Sequence, residues 1–155
     1  MILETHEDDY ARLLLGQAPR DLRLADTSIA PPEVLAMLVD LARRVGVDFS
    51  PAAWLIVETG ELVGLCSITK PPQNGVVEIG YGVAPSRQGR GSAGRAIAEI
   101  VRWAKTDPRV EALAAETSTT NPASRAVLKR NGFLPVGERV DDEDGPLIVW
   151  RCSTQ

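Results

Sequence analysis

The sequence predicts one α/β (α+β) domain, with a central mixed, mostly antiparallel sheet of about seven strands and four helices. Three observations carry that class. Short apolar runs bounded by Gly, Pro and Asn turns recur in the middle of the chain and again at its end. Four other stretches space their apolar residues at helical period. A single strand–helix–strand unit, Val76 to Glu116, needs a crossover, and so a parallel pair within a sheet otherwise made of hairpins. At 155 residues the chain suits a single domain over 1–155 with one sizeable core.

Met1 to Glu4 fits an edge strand. Thr5 and Asp8 have capping-box spacing, and Tyr10, Leu13 and Leu14 give a first helix that ends at Gly16 or Pro19. Asp21-Leu22-Arg23-Leu24 alternates without demanding a strand. Pro31-Pro32-Glu33 starts a second helix, with Val34, Met37, Leu38, Leu41 and Val45 as its apolar stripe and Gly46 as its end. Ala52 to Glu58 and Leu62 to Thr69 form a hairpin around Thr59-Gly60-Glu61, and Lys70 to Gly75 is a loop. Val76 to Val83 returns as the third strand of an antiparallel meander, and Gly80 and Gly82 within it predict a bulge or a close approach.

Beyond Pro85 a glycine-rich turn opens a helix whose buried face is Ile97, Ile100, Val101 and Ala104. Asp107-Pro108 ends it, and Val110 to Glu116 is a strand parallel to Val76–Val83. Asn121 as N-cap and Pro122 at the first position start a fourth helix, which buries Ala123, Ala126 and Val127 and closes in a left-handed cap at Asn131-Gly132. Phe133 to Val140 and Pro146 to Cys152 are the last strands, joined by the acidic turn Asp141 to Gly145.

Composition excludes several functions. A net charge of −4 argues against a nucleic-acid binder. Cys66, Cys152 and the lone His6 cannot assemble a usual zinc site, so no metal is expected. The N-terminus lacks the charge and apolar run of a signal peptide, and no stretch approaches a membrane span; the expected setting is the cytoplasm.

The informative stretch is the turn before the third helix. A strand that feeds a helix whose first turn is Gly89, Gly91, Ala93 and Gly94 lets an anion approach the backbone and meet the free N–H groups of the helix start. Gly89-Arg90-Gly91-Ser92-Ala93-Gly94 fits the dinucleotide pattern G-x-G-x-x-G, but Ala84 to Gln88 separate it from the strand and only one βαβ unit is visible. No Gly-Lys-Ser/Thr follows, which excludes a P-loop. Gln88-Gly89-Arg90-Gly91-Ser92-Ala93 satisfies Q/R-x-x-G-x-G/A in full.

That last pattern resembles the coenzyme A pyrophosphate loop of the GNAT superfamily of N-acetyltransferases. The order of elements is that superfamily's too. Asn121 to Phe133 resembles the N-x-x-S…G-F segment of the branch containing the ribosomal-protein N-terminal acetyltransferases, and Glu78 to Pro85 resembles that branch's corresponding strand. The resemblance covers roughly the C-terminal two-thirds of the chain. It implies transfer of an acetyl group from acetyl-CoA to a primary amine by direct attack, the acceptor being a protein N-terminus or a small molecule. The oligomeric state, a homodimer included, stays open.

The resemblance also distributes roles. Gln88, Gly89, Arg90, Gly91, Ser92, Ala93 and Gly94 would hold the pyrophosphate, with Arg87, Arg95, Arg125, Lys129 and Arg130 adding positive charge nearby. Tyr81 and Val83 would offer backbone groups to the pantetheine arm, Val83 N–H facing the thioester oxygen, and Asn121 would contact the same arm. Glu78 and Glu116 compete as the base for the amine, and neither is favoured by an ordinary carboxylate pKa. Ser124 would hydrogen-bond the leaving sulfur, because Leu128 stands where many members carry a tyrosine. Two rivals remain: a catalytically idle acyl-CoA-binding regulator on the same fold, and a dinucleotide-binding module.

Overall fold

A computed structural model describes residues 1–155. The strands are β1 (Ile2–Glu4), β2 (Arg23–Leu24), β3 (Ala53–Glu58), β4 (Glu61–Ile68), β5 (Val76–Val83), β6 (Ala112–Ser118), β7 (Leu134–Asp141) and β8 (Gly145–Ser153). The helices are α1 (Glu7–Leu14), α2 (Pro32–Gly46), α3 (Ser92–Thr106) and α4 (Pro122–Arg130). All strands form one sheet in the order β1-β3-β4-β5-β6-β8-β7, with the two-residue β2 beside β4. β2 is the alternating Asp21–Leu24 stretch, and it raises the strand count to eight. The meander is antiparallel, and β5 pairs with β6 in parallel, as the crossover requires.

Side-chain alternation along the strands divides the core in two. Trp54 and Ile56 of β3, Val77 and Ile79 of β5, and Leu113 and Ala115 of β6 pack with Ala96, Ile97, Ile100, Val101 and Ala104 of α3. Ala53, Leu55 and Val57 face the other way, onto Tyr10 and Leu13 of α1 and Leu35 and Val39 of α2. α3 therefore buries the face its spacing predicts. α2 does so in part: Leu38, Leu41 and Val45 of its expected stripe pack inward, but Met37 is exposed and Leu35, Val39 and Ala42 join the buried face.

The first cap also falls one residue later than predicted. Thr5 N–H donates to Ala53 O, which extends the β1–β3 ladder, so His6 becomes the N-cap and its N–H donates to Asp9 Oδ2 at 2.7 Å. At the end of α4 the left-handed residue is Gly132 (φ 87°) alone; Asn131 has φ −96°.

One departure from regular pairing positions the site. β5 and β6 pair from Val76↔Ala112 only as far as Ile79↔Ala115. Beyond that point β5 follows β4 to Val83, while β6 follows β8 to Ser118, and the two strands splay into a gap. No bulge in β5 opens it, because the β4–β5 register runs unshifted from Gly64↔Val83 to Ile68↔Ile79. The sheet's irregularity on this side lies between β3 and β4, at Ile56/Val57. Gly64 is the tight contact: a Cβ there would sit 2.2 Å from Gly82 O.

Candidate active site

The glycine-rich loop and α3 build one wall of the site. Gly89 and Gly91 adopt φ 77° and 80°, a left-handed conformation that glycine enters without steric cost, and Gly91 is the N-cap of α3. The N–H groups of the next residues and the positive end of the helix dipole point into a cleft of about 760 Å³. Tyr81, Gly82, Val83, Gln88, Gly89, Gly91 to Gly94, Asn121 and Ser124 all line it. A second cleft, about 480 Å³, lies between α1 and the C-terminal part of α2 and holds none of the candidate catalytic or cofactor-binding residues.

The gap between β5 and β6 is the inner end of the larger cleft. Thr69 N–H donates to Glu78 O (2.9 Å) and Ala84 N–H to Val63 O (2.7 Å). Alternation then directs the backbone groups of Glu78, Gly80, Gly82 and Ala84 at β4, and those of Val77, Ile79, Tyr81 and Val83 the other way. Val77 and Ile79 meet β6. Tyr81 and Val83 lie past the last pair and face the gap. Gln88 Nε2 donates to Val83 O at 3.0 Å, tying the start of the loop to the end of the strand.

α4 is the opposite wall. Asn121 caps it as expected, its Oδ1 accepting from Ser124 N at 3.1 Å. The Tyr81 ring crosses from β5 to this first turn, with its hydroxyl 3.4 Å from Ser124 O. Leu128 is fully buried in the core and does not line the cleft. Asn131, read from the sequence as a cap, instead donates from Nδ2 to Val127 O (2.9 Å) and Gly94 O (3.3 Å), bridging α4 to the first turn of α3.

The positive charge is thinner than the sequence suggests. Arg87 is held by Glu61 and Asp26, and Arg95 by Glu58 and the Arg90 carbonyl. Arg125 donates to Thr119 O. Arg130 lines the cleft, and neither it nor Arg90 or Lys129 forms an ion pair.

Glu78 and Glu116 sit on the face turned to α1 and α2, since they alternate with core residues of β5 and β6. Their surroundings differ. Glu78 Oε1 accepts from Thr69 Oγ1 at 2.7 Å, and Oε2 lies 3.3 Å from the exposed Lys70 ammonium. Glu116 is clamped at both oxygens by Arg139, which reaches over β8 from β7 with Nη2 2.8 Å from Oε1 and Nε bonded to Oε2. Those bonds hold the Arg139 guanidinium above its ordinary pKa. The structure therefore separates two carboxylates that the sequence leaves in competition.

A parallel pair that splays into a gap beside a glycine-lined helix start defines an α/β domain with a cleft through its sheet. Residues 2–134 match the acetyltransferase (GNAT) domain family, and the chain belongs to that family. Among curated proteins, the ribosomal-protein-serine acetyltransferase of Escherichia coli (strain K12) is 29% identical over 85 residues, 54% of this chain. The match spans about half of that relative, 48% of its length. Among solved structures, a chimera of Vibrio cholerae spermidine N-acetyltransferase SpeG with hSSAT superposes with a TM-score of 0.73 at 16% identity, over 99% of this chain and 95% of that one. RimL, a ribosomal L7/L12 alpha-N-protein acetyltransferase, gives 0.68 at 18% identity over 99% and 92%. AAC(6')-Ib in complex with ribostamycin and coenzyme A gives 0.68 at 17% over the same shares. At these identities the structural likeness establishes the fold. No helix is long and apolar enough to cross a membrane.

Proposed function

We propose that the protein moves an acetyl group from acetyl-CoA to a primary amine, in the cytoplasm, by direct attack in a ternary complex. The observation that carries this reading is the gap beyond Ile79↔Ala115, which leaves the backbone of Tyr81 and Val83 facing a cleft that begins at a helix N-terminus. An extended pantetheine arm pairs there as a missing strand would, and the pyrophosphate meets the N–H groups of the Gly89–Gly94 turn. Arg130, which lines the cleft, supplies a cation for the remaining phosphate charge. Asn121 and Ser124 border the arm from α4.

Glu78 is the general base in this reading, working through a water. An amine of pKa about 10 is mostly protonated at neutral pH, so a carboxylate within reach of a bridging water must draw off its proton. Glu78 has an exposed ion-pair partner, Lys70, which favours it as the base, whereas the bidentate Arg139 clamp argues for a structural role of Glu116. Position along β5 favours Tyr81 over Val83, the residue the resemblance suggests, as the oxyanion donor. At about 3.3 Å per residue, Val83 is about 16 Å from Glu78 and Tyr81 about 10 Å, so the thioester oxygen accepts from Tyr81 N–H and Val83 N–H holds the arm nearer the loop. Ser124 hydrogen-bonds the leaving sulfur.

The acceptor enters from the α1/α2 face, a small amine or a protein N-terminus. The test is acetyl transfer to a panel of both kinds, followed by mass spectrometry, for the wild type and Glu78→Gln. The variant should lose at least about 100-fold in kcat and bind acetyl-CoA as the wild type does. Retained acetyl-CoA binding with no transfer to any amine by the wild type would favour an idle acyl-CoA-binding regulator.

A further inference from the structure

We propose that Tyr81 is a catalytic residue, its phenol O–H donating a hydrogen bond to the sulfur of coenzyme A as the acyl–sulfur bond breaks. The inference rests on the acetyltransferase reading and adds to it a side chain for which the sequence offered only a backbone role.

Expulsion of a thiolate builds negative charge on sulfur, and donors placed where that charge develops lower the barrier. Few groups can reach the inner end of this cleft. Arg87 and Arg95 are held in ion pairs at the loop end, and position 128 on α4 is a leucine turned fully into the core. Of the cleft's three hydroxyls, those of Ser124 and Tyr81 lie at this end, while Ser92 opens α3 at the loop end.

Tyr81 is better placed for donation than a ring packed only for shape would be. Its backbone faces the gap, and its ring spans that end of the cleft to the first turn of α4. The phenol's hydrogen bond goes to Ser124 O at 3.4 Å, well beyond the usual 2.7–2.8 Å of an O–H···O bond. A proton held so loosely turns readily to a stronger acceptor, and an anionic sulfur is one. Burial holds the phenol above its usual pKa of 10, against a small opposing pull from Ser124, so the O–H is present in every turnover at neutral pH. A phenol is also a more acidic donor than the Ser124 hydroxyl, which makes Tyr81 the principal stabiliser and Ser124 the auxiliary one.

The step balances as follows. The amine nitrogen bonds to the carbonyl carbon and gives up a proton through water to Glu78. The carbon–sulfur bond breaks with its electron pair on sulfur, where both O–H groups donate without transferring their protons. The thiolate then takes a proton from water, matching the one that the amine released.

The test needs no amine. Bound coenzyme A is titrated with pH by the ultraviolet absorbance of its thiolate, in the wild type and in Tyr81→Phe, whose fold is checked by its thermal melt. Donation to the charged form should lower the thiol pKa of the wild-type complex by about one unit relative to free coenzyme A, and the shift should largely vanish in Tyr81→Phe. With an amine present, kcat should fall by about 100-fold while acetyl-CoA affinity changes by less than about twofold. A ring-fluorinated tyrosine at 81, nearly isosteric and a stronger donor, should lower the thiol pKa further. The same thiol pKa in wild type and Tyr81→Phe overturns the inference alone; failure to bind coenzyme A overturns the acetyltransferase reading with it.

Discussion

Arg139 grips both carboxylate oxygens of Glu116 from two strands away, passing over β8 to do so. β7 is an edge strand exposed along almost its whole length, so this pair ties its outer end to the strand that borders the gap. A candidate base in the sequence, Glu116 is in the proposed reading an anchor for β7. Glu116→Gln should therefore shift a denaturant melt only slightly, because the Arg139 partner is about half exposed. Its kcat should stay within about threefold of the wild type, against the loss of about 100-fold expected for Glu78→Gln. A collapse of kcat in Glu116→Gln would return the base role to that residue.

The segment between β2 and α2 is fastened to the loop that binds the donor. Thr27 Oγ1 donates to Ser86 Oγ (2.9 Å) and accepts from Ser86 N (2.9 Å), and Asp26 meets Arg87 at 3.2 Å. This clasp joins the acceptor face to the 3-10 turn Pro85–Arg87 that precedes the glycines. Thr27→Val should remove about 1 kcal/mol of positioning, raise KM for the amine by about fivefold, and leave acetyl-CoA affinity nearly unchanged. An equal loss for both substrates would show that the clasp only holds the loop folded.

Gly91 is the glycine of the turn whose replacement should matter most. It caps α3 at φ 80°, and a Cβ there would lie 2.7 Å from Arg95 Nη1. Arg95 must then release Glu58 or the backbone must leave the left-handed region. Gly91→Ala should cost about 1–2 kcal/mol in stability and weaken acetyl-CoA binding by about tenfold, read by calorimetry. Gly137 on β7 has open space around its Cβ position, ordinary φ and no place in the cleft, so Gly137→Ala is the matched control.

The Asp9–Arg20 pair predicts a pH dependence with a definite sign. Burial pushes the Asp9 carboxyl up, but the Arg20 guanidinium and the His6 N–H outweigh it and hold the group below its ordinary 3.8. An acid depressed in the native state contributes stability above its unfolded pKa, and that contribution is lost as pH falls through the native value. Arg20→Ala leaves burial dominant, so protonation of Asp9 then favours folding. The variant should be about 3 kcal/mol less stable at neutral pH, and the gap to wild type should narrow as pH drops towards 3. A gap independent of pH would mean that the pair carries no linkage.

Much of the fold is legible in the sequence because local rules and tertiary needs agree there. The Gly89–Gly94 turn, the Asn121-Pro122 start and the α3 stripe each satisfy a local requirement that the packing also uses. The misreadings fall where a long-range contact decides. Pairing of Thr5 with Ala53 moved the first cap, and packing against two cores left Met37 of α2 exposed while burying Leu35 and Val39. Gly80 and Gly82 suggested a bulge or a close approach; the register shows no bulge, and the close approach is of Gly64 to the Gly82 backbone, a partner invisible without the register. At the site, residue types named the candidates, yet only geometry shows Glu116 clamped, Glu78 less tightly held, and Gln88 and Asn131 as braces. Asn131 carried no sequence signal beyond its place before Gly132.

The central claim is that acetyl-CoA occupies the cleft between the splayed strands and α4. Calorimetric titration with acetyl-CoA, with NAD in parallel, tests it most directly when wild type is compared with Ala126→Trp, which fills the cleft from α4. Wild type should bind acetyl-CoA saturably and NAD not at all, and Ala126→Trp should lose at least about 100-fold in affinity with its thermal melt intact. Binding of NAD alone, or acetyl-CoA binding untouched by the tryptophan, would contradict the account.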